Sequence, residues 1–237
     1  MKKRIGIVPA SFIGDPAVSA MEDFYKLGNN YTKRITEAGG IPICLAPADN
    51  WLAQEALELC DGFLVQGGAE FYPYHFQVIH HAVTQGKRYL GICLGQQLIY
   101  VYFELMRRIE AEGYRGDPVQ GICDYLAKQP RSFSVQKKAP GHCFDHGPRG
   151  QEEAVKHSVD IVPGTLLHRV LGRDFMRICS HHNLHTPPEQ TLVTINAWSA
   201  TGDGVVEGTE YQEHILGVQG HPEADDLLPE LFTFLTE

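Results

Sequence analysis

The chain has 237 residues, an apolar share of 43% and a formal charge of 20 − 29 = −9. That length holds a core without disulfide staples, and the acidic balance argues against a nucleic-acid partner. The apolar runs fall well short of a membrane span, and the "MKKR" start is too short and too mixed for a signal peptide. Six cysteines, at 44, 60, 93, 123, 143 and 179, show no C-x-x-C pair, so free thiols in a reducing, cytoplasmic compartment are expected.

"RIGIVP" (4–9) reads as a first strand. Residues 19–38 follow, with Met21, Phe24, Tyr25, Tyr31 and Ile35 at roughly helical spacing and "AGG" (38–40) as the stop. "IPICLAP" (41–47) is the next strand. Asp49 or Asn50 then caps a helix through "WLAQEALELC", with Trp51, Ala56 and Leu59 on one face. "GFLVQGG" (62–68) is a third strand, a helix over 76–86 leads into "RYLGIC", and a long helix runs from Leu94 to Glu112. Strands separated by such helices read as βαβ units with a parallel sheet, whose functional loops lie at the carboxyl ends of the strands. Both "QGG" and "GIC" lie at such ends. Residues 113–152 read as a long irregular excursion, a lid or one wall of a site. From about 155 the pattern turns β-rich through "KHSVDIV", a short helix after Pro163, "FMRICS", "TLVTINAWS", "GVVEGTE" and "HILGVQGHPE". "TGDG" (201–204) marks a hairpin between two of these strands, and a helix with Leu227, Leu228, Leu231, Phe232 and Leu235 closes the chain. The whole, 1–237, is expected to be a single domain.

Gly91-x-Cys93-x-Gly95 meets the demand of a nucleophile elbow, where a sharp strand-to-helix turn leaves room only for small flanking residues. An elbow places the Cys93 sulfur at a helix N-terminus, where the dipole and free N–H groups stabilise a thiolate, and aims the Leu94 N–H at an oxyanion. A buried cysteine in a tight turn is the other reading of the same pattern. A cysteine nucleophile needs a histidine base and an orienter. "GVQGHPEAD" places His221 just past a strand, with Glu223 two residues on. In extended backbone those two positions share one side, so Glu223 can hold the imidazole from behind.

Buried thiols are the default for the remaining cysteines. His142, Cys143 and His146 have a spacing a metal site could use, but no second pair matches it, and no metal or other cofactor is expected. His80-His81 reads as a surface turn, Arg107-Arg108 as a solvated helix end, and Asp61-Gly62 as a turn before a strand.

Together these pieces resemble the class I glutamine amidotransferase-like superfamily. "GICLGQQ" (91–97) resembles its nucleophile motif and "GVQGHPE" (217–223) its His-x-Glu motif. "VQGGAEFYP" (65–73) resembles the glycine loop of the gamma-glutamyl hydrolase and gamma-glutamyl-GABA hydrolase branch. "SVDIVPGTLLHRVLG" (158–172), "CSHHNLH" (179–185) and "SATGDGVVEGTE" (199–210) resemble later segments of that branch. The resemblance implies an α/β three-layer sandwich with a mostly parallel central sheet and a β-rich C-terminal half. It implies Cys93 as nucleophile, His221 as base, Glu223 as orienter, and the Gly68 and Leu94 N–H groups as the oxyanion hole. Gly67, Glu70, Gln97, Ser180, His181 and His182 fall where it implies substrate contacts. Departures are Gly220, where the branch has tryptophan, and Glu70, where it has aspartate. The implied reaction attacks a small-molecule γ-glutamyl amide and forms a thioester. Open alternatives are a glutaminase subunit feeding a separate synthetase, a homo-oligomer, and a non-enzymatic binding protein on the same scaffold.

Overall fold

A computed structural model of the chain describes residues 1–13, 24–128, 136–142, 155–224 and 227–237. The N-terminal half alternates strands and helices: β1 (Arg4–Val8), β2 (Ser11–Ile13), β3 (Phe24–Lys26), α1 (Asn29–Glu37), β4 (Ile41–Cys44), α2 (Gln54–Leu59), β5 (Gly62–Val65), α3 (Pro73–Gln85), β6 (Arg88–Ile92) and α4 (Leu94–Ala111). There follow α5 (Pro118–Lys128), β7 (Lys137–Lys138), β8 (Lys156–Ile161), α6 (Leu166–Leu171), β9 (Phe175–Cys179), β10 (Leu184–His185), β11 (Thr194–Ser199), β12 (Val206–Tyr211), β13 (Ile215–Val218) and α7 (Pro229–Thr236).

One 9-stranded sheet runs in the order β4-β1-β5-β6-β13-β12-β11-β8-β9. The pairings from β4 through β13 are parallel, as the βαβ pattern predicts. From β13 outward every pairing is antiparallel, matching the β-rich C-terminal half. The strands in the middle are buried on both faces, so alternate residues enter two cores. Ile5, Ile7, Leu64, Leu90, Ile92, Leu216 and Val218 pack with residues of α1, α6 and α7. Phe63, Val65, Tyr89 and Ile215 pack on the opposite side with α3, α4 and α5. The result is the expected three-layer sandwich, and "TGDG" is indeed the turn between β11 and β12, with Gly202 and Gly204 at positive φ.

Several expectations are corrected. The helical reading of 19–38 spans a strand at Phe24–Lys26, and the helix begins only at Asn29. Tyr25 pairs with Phe12 across a small ribbon of β2 and β3, so tertiary pairing overrides its helical spacing. Met21 lies outside the described residues. Asp49 and Asn50 do not cap α2: both have positive φ (49° and 67°), in a turn closed by the Ala48–Trp51 bridge, and α2 starts at Gln54. Leu57 is the buried residue of α2, whereas Leu59 is exposed. The stretch that reads as irregular contains α5, capped by the Asp117 carboxylate, which accepts the Gln120 N–H at 2.8 Å, with Pro118 in the first turn. His80-His81 is not a surface turn: both lie in α3, His80 bonds the Tyr102 hydroxyl at 2.8 Å and His81 packs edge-on against Phe63. Arg107 and Arg108 do lie toward the end of α4 with Arg107 exposed, as expected, and both grip the Glu104 carboxylate, at 2.8 and 2.7 Å. Asp61 does lie in the turn before β5, as expected, and it also binds the Arg4 backbone N–H and guanidinium, which holds its carboxyl down at about 2. Cys44 is an exposed thiol rather than a buried one.

Candidate active site

The turn between β6 and α4 is the focus. Cys93 stands at the cap of α4 with φ 54° and ψ −104°, outside the regions a non-glycine residue ordinarily occupies. Its backbone N–H donates to Val218 O at 2.9 Å, and its carbonyl accepts from the Gln96 and Gln97 N–H groups at 3.1 Å each. The flanking glycines are there for want of space. A Cβ on Gly91 would lie 2.2 Å from Gly95 O, and one on Gly95 would lie 2.2 Å from Val65 O.

The second piece comes from β13, which pairs in parallel with β6, Val218 opposite Ile92. Both strands therefore end at the same edge of the sheet, and the chain leaving β13 passes the elbow. His221 N–H donates to Cys179 O at 2.8 Å, and a single 3-10 turn over Pro222–Ala224 follows. That turn, rather than the extended backbone expected, swings Glu223 back until its Oε1 is 2.7 Å from His221 Nδ1. Burial disfavours the His221 imidazolium, but the Glu223 carboxylate and the Cys93 sulfur together hold its pKa well above the ordinary value. Burial also works against the Glu223 carboxylate, and its imidazolium partner outweighs it and lowers the pKa.

The third piece is the loop after β5. A Cβ on Gly67 would lie 2.8 Å from His221 Cε1 and 3.4 Å from Cys93 Cβ, so this backbone lies against both. A Cβ on Gly68 would lie 2.5 Å from Ala10 O. Two side chains that sequence reasoning passed over fix the loop. Gln66 donates to Val8 O at 2.7 Å and accepts from Gly28 N–H at 2.9 Å. The Tyr31 hydroxyl accepts the Gly67 N–H at 3.2 Å and faces Glu223, whose negative charge joins burial in raising the tyrosine's pKa. Gln66 falls within the "VQGG" stretch without being singled out there, and Tyr31 has no signal beyond helical spacing.

The remaining candidates separate by exposure. Glu70 is exposed, held by the Tyr72 hydroxyl at 3.2 Å. His181 sends its carbonyl to 3.9 Å from the Cys93 sulfur. Gln97 is buried, donating to Leu184 O at 2.7 Å and Gln219 Oε1 at 3.0 Å and accepting from Gln136. Ser180 is fully buried and donates to His142 O, and His182 is buried with Nδ1 on Leu184 O. Gln97 and Ser180 have polar atoms bonded to protein partners, while His182 bonds through Nδ1 alone and turns Nε2 toward Glu207. Gly220 has no room for the branch's tryptophan, since a Cβ there would lie 2.7 Å from Ile178 and 2.8 Å from Cys179 O. Cys143 and His146 lie outside the described residues.

The sequence matches Peptidase C26 over residues 5–84 and 74–223, most of the chain. The chain belongs to the Peptidase C26 family. This C26 family member is 26% identical over 237 residues to a glutamine amidotransferase-like protein of Rickettsia prowazekii, covering 84% of the chain and 83% of that relative. It is 27% identical over 203 residues to a CTP synthase of Thermus thermophilus, covering 73% of the chain but only 34% of the synthase. Among solved structures, it superposes on the glutaminase domain of Trypanosoma brucei CTPS with bound acivicin at a TM-score of 0.61 and 17% identity, covering 98% and 92% of the two chains. A structure described as a GMP synthase subunit from Thermoplasma acidophilum gives 0.57 at 18% identity, covering 99% and 93%. The C26 family member thus has the glutamine amidotransferase class I fold. Among its described residues no helix is long and apolar enough to cross a membrane.

Proposed function

We propose that the chain hydrolyses a γ-glutamyl amide through a thioester on Cys93, with the whole length acting as one catalytic domain. The observation that carries this is the strained Cys93 turn facing a histidine whose far nitrogen is held at 2.7 Å by a buried carboxylate. Glu223 fixes the His221 ring so that Nε2 serves the sulfur. The Cys93 sulfur attacks the γ-carbonyl carbon as His221 Nε2 takes the thiol proton. The oxyanion forms against the Gly68 and Leu94 N–H groups, each worth roughly 3 kcal/mol in this kind of site. His221 then hands its proton to the departing amine, leaving the γ-glutamyl thioester. Water, deprotonated by His221, attacks the thioester, and glutamate leaves as the sulfur regains its proton. Glu70 and the Gly67 and His181 backbone line the approach as substrate contacts, while Gln97, Ser180 and His182 act through the wall they support.

A second reading, a glutaminase subunit passing ammonia to a separate synthetase, draws on the likeness to synthase glutaminase domains. One experiment separates the two. The isolated chain and its Cys93→Ala variant are assayed on a panel of γ-glutamyl amines with glutamine included. Partner-free turnover that vanishes in Cys93→Ala supports the hydrolase. A chain idle on every substrate, yet labelled at Cys93 by a γ-glutamyl electrophile, supports the ammonia-passing reading. Undiminished turnover in Cys93→Ala refutes the chemistry.

A further inference from the structure

Near the turn after β9 that approaches Cys93 lies a buried cluster that takes no chemical part in the proposed reaction. Glu207 on β12 is fully buried, and three imidazole nitrogens converge on its Oε1: His142 Nδ1 at 3.0 Å, His157 Nε2 at 3.5 Å and His182 Nε2 at 3.5 Å. None of these contacts is a directed hydrogen bond. All three nitrogens and both Glu207 oxygens are buried without a hydrogen-bond partner among the described residues. A buried carboxylate in that condition is unusual enough to need a cause.

The outer nitrogens supply one. His182 Nδ1 is 3.0 Å from Leu184 O, and a carbonyl accepts only from an N–H, so the proton sits on Nδ1 and the Nε2 lone pair faces Glu207. His142 Nε2 is 2.8 Å from the Asp203 carboxylate, which places a proton on Nε2 and, in the neutral ring that a metal ion requires, turns the Nδ1 lone pair inward. With the rings neutral, each inner nitrogen is an acceptor facing the Glu207 carboxylate, with no hydrogen bond made between them. Lone pairs aimed at a common point between ligands, with the outer N–H on a carbonyl or a carboxylate, form the arrangement seen around metal-bound histidines. The spacing agrees. Corners of a tetrahedron with metal–ligand bonds of about 2.0–2.1 Å stand roughly 3.3–3.4 Å apart, and the His142 and His182 nitrogens stand 3.0 and 3.5 Å from Glu207 Oε1. Atoms of His142, His182 and Glu207 all lie within 4.8 Å of one another.

We propose that His142, His182 and Glu207 bind a divalent first-row metal ion, zinc in the first place, with His157 flanking Glu207 outside the ligand set. Imidazoles with one carboxylate suit zinc better than magnesium or calcium, which take oxygen ligands. The ion ties the 136–142 segment and the turn after β9 to β12. His182 N–H already donates to His142 O at 3.1 Å, and the neighbouring His181 carbonyl approaches Cys93, so the site stiffens the wall of the cleft.

The test uses the full chain, stripped with a chelator and titrated with Zn²⁺ against a chromophoric competitor. It is run in wild type and in Cys93→Ala, which removes the thiol–imidazole pair as a competing zinc site. Expected are one tight equivalent in both, a rise in melting temperature on adding zinc, and a Co²⁺ form with tetrahedral visible bands but no thiolate charge-transfer band. Glu207→Gln keeps the shape of the site and is expected to weaken zinc at least about 100-fold and abolish the thermal shift. His182→Ala is a second variant with the same expectation. Absence of a stoichiometric zinc in Cys93→Ala, undiminished affinity in folded Glu207→Gln, or a cobalt–thiolate band overturns the proposal. The first of these outcomes would leave the cluster as a His142 imidazolium shared between Asp203 and Glu207.

Discussion

Replacing Gly91 with alanine tests whether the elbow is as tightly built as its geometry requires. The new methyl carbon would lie 2.2 Å from Gly95 O, 2.4 Å from Gly95 C and 2.8 Å from Gln96 N, all backbone of the first turn of α4. Ordinary contact begins near 3.4 Å, so the turn must retreat by 3.4 − 2.2 = 1.2 Å. It cannot do so freely. Gly95 O is held by the Tyr89 hydroxyl at 2.7 Å, and Gly95 is itself so close to β5 that a Cβ there would lie 2.2 Å from Val65 O. Overpacking of this kind costs about 1–3 kcal/mol. At roughly 2–4 °C per kcal/mol for a chain of this size, the melting temperature should fall by about 2–12 °C. The same retreat displaces Cys93 from His221, and a misplacement of about 1 Å costs on the order of 100-fold in rate. Differential scanning fluorimetry reads the first effect, and the second-order rate of Cys93 alkylation by a γ-glutamyl electrophile reads the second. Gly164→Ala is the control: its φ of 82° carries strain of about 1–2 kcal/mol, but nothing lies within 4 Å of the added carbon, so stability falls and labelling does not. A Gly91→Ala protein with wild-type melting and wild-type labelling would refute the reasoning.

Other outcomes follow from single contacts. His75 is buried with Nε2 on Pro9 O and Nδ1 accepting the Tyr72 N–H, and burial pushes its pKa down to about 4. Because the unfolded imidazole titrates near 6.5, stability is intact above that pH and declines as pH falls toward 4, by up to about 3 kcal/mol. In urea melts across that window His75→Gln should flatten the decline by one proton, and an unchanged slope would contradict it. Tyr31→Phe removes the acceptor of the Gly67 N–H and a polar neighbour of Glu223, so a loss of about 1–3 kcal/mol and slower Cys93 labelling are expected. Wild-type values for both would remove Tyr31 from the site. Gly220→Trp, which restores the residue the branch carries, should fail to fold to wild-type stability here, because Ile178 and the Cys179 carbonyl occupy its space. A melting temperature at or above wild type would show that this wall yields.

Local steric demands and period were legible in the sequence. Gly91 and Gly95 around Cys93 announce a turn that only glycines fit, and a Cβ on either would indeed meet a backbone oxygen at 2.2 Å. The apolar runs at 4–8, 62–65 and 88–92 announce strands buried on both faces. His221 and Glu223 could be paired from their spacing, though a 3-10 turn rather than extended chain brings them together. What escaped depended on distant partners. The strand at Phe24–Lys26 exists because Ser11–Ile13 lies beside it, and no local signal outweighs the helical spacing there. The Asp117-Pro118 start of α5 was present in the sequence but hidden among the surrounding glycine and charge. The histidine cluster on Glu207 draws on the 136–142 segment, β8, the turn after β9 and β12, residues up to 65 positions apart, so no motif spacing could reveal it (207 − 142 = 65).

The central claim is that Cys93 is a nucleophile set apart from the other thiols by its turn and by His221. The most direct measurement exposes the folded chain at neutral pH to a γ-glutamyl electrophile and maps the adduct by peptide mass spectrometry. The account predicts labelling at Cys93 first and far ahead of the rest. Cys123 lags because burial pushes its thiol up to about 11, and exposed Cys44, at the end of β4, lies outside the elbow. Labelling of Cys44 or Cys179 at the same rate as Cys93, or no reduction of Cys93 labelling in His221→Ala, would contradict it.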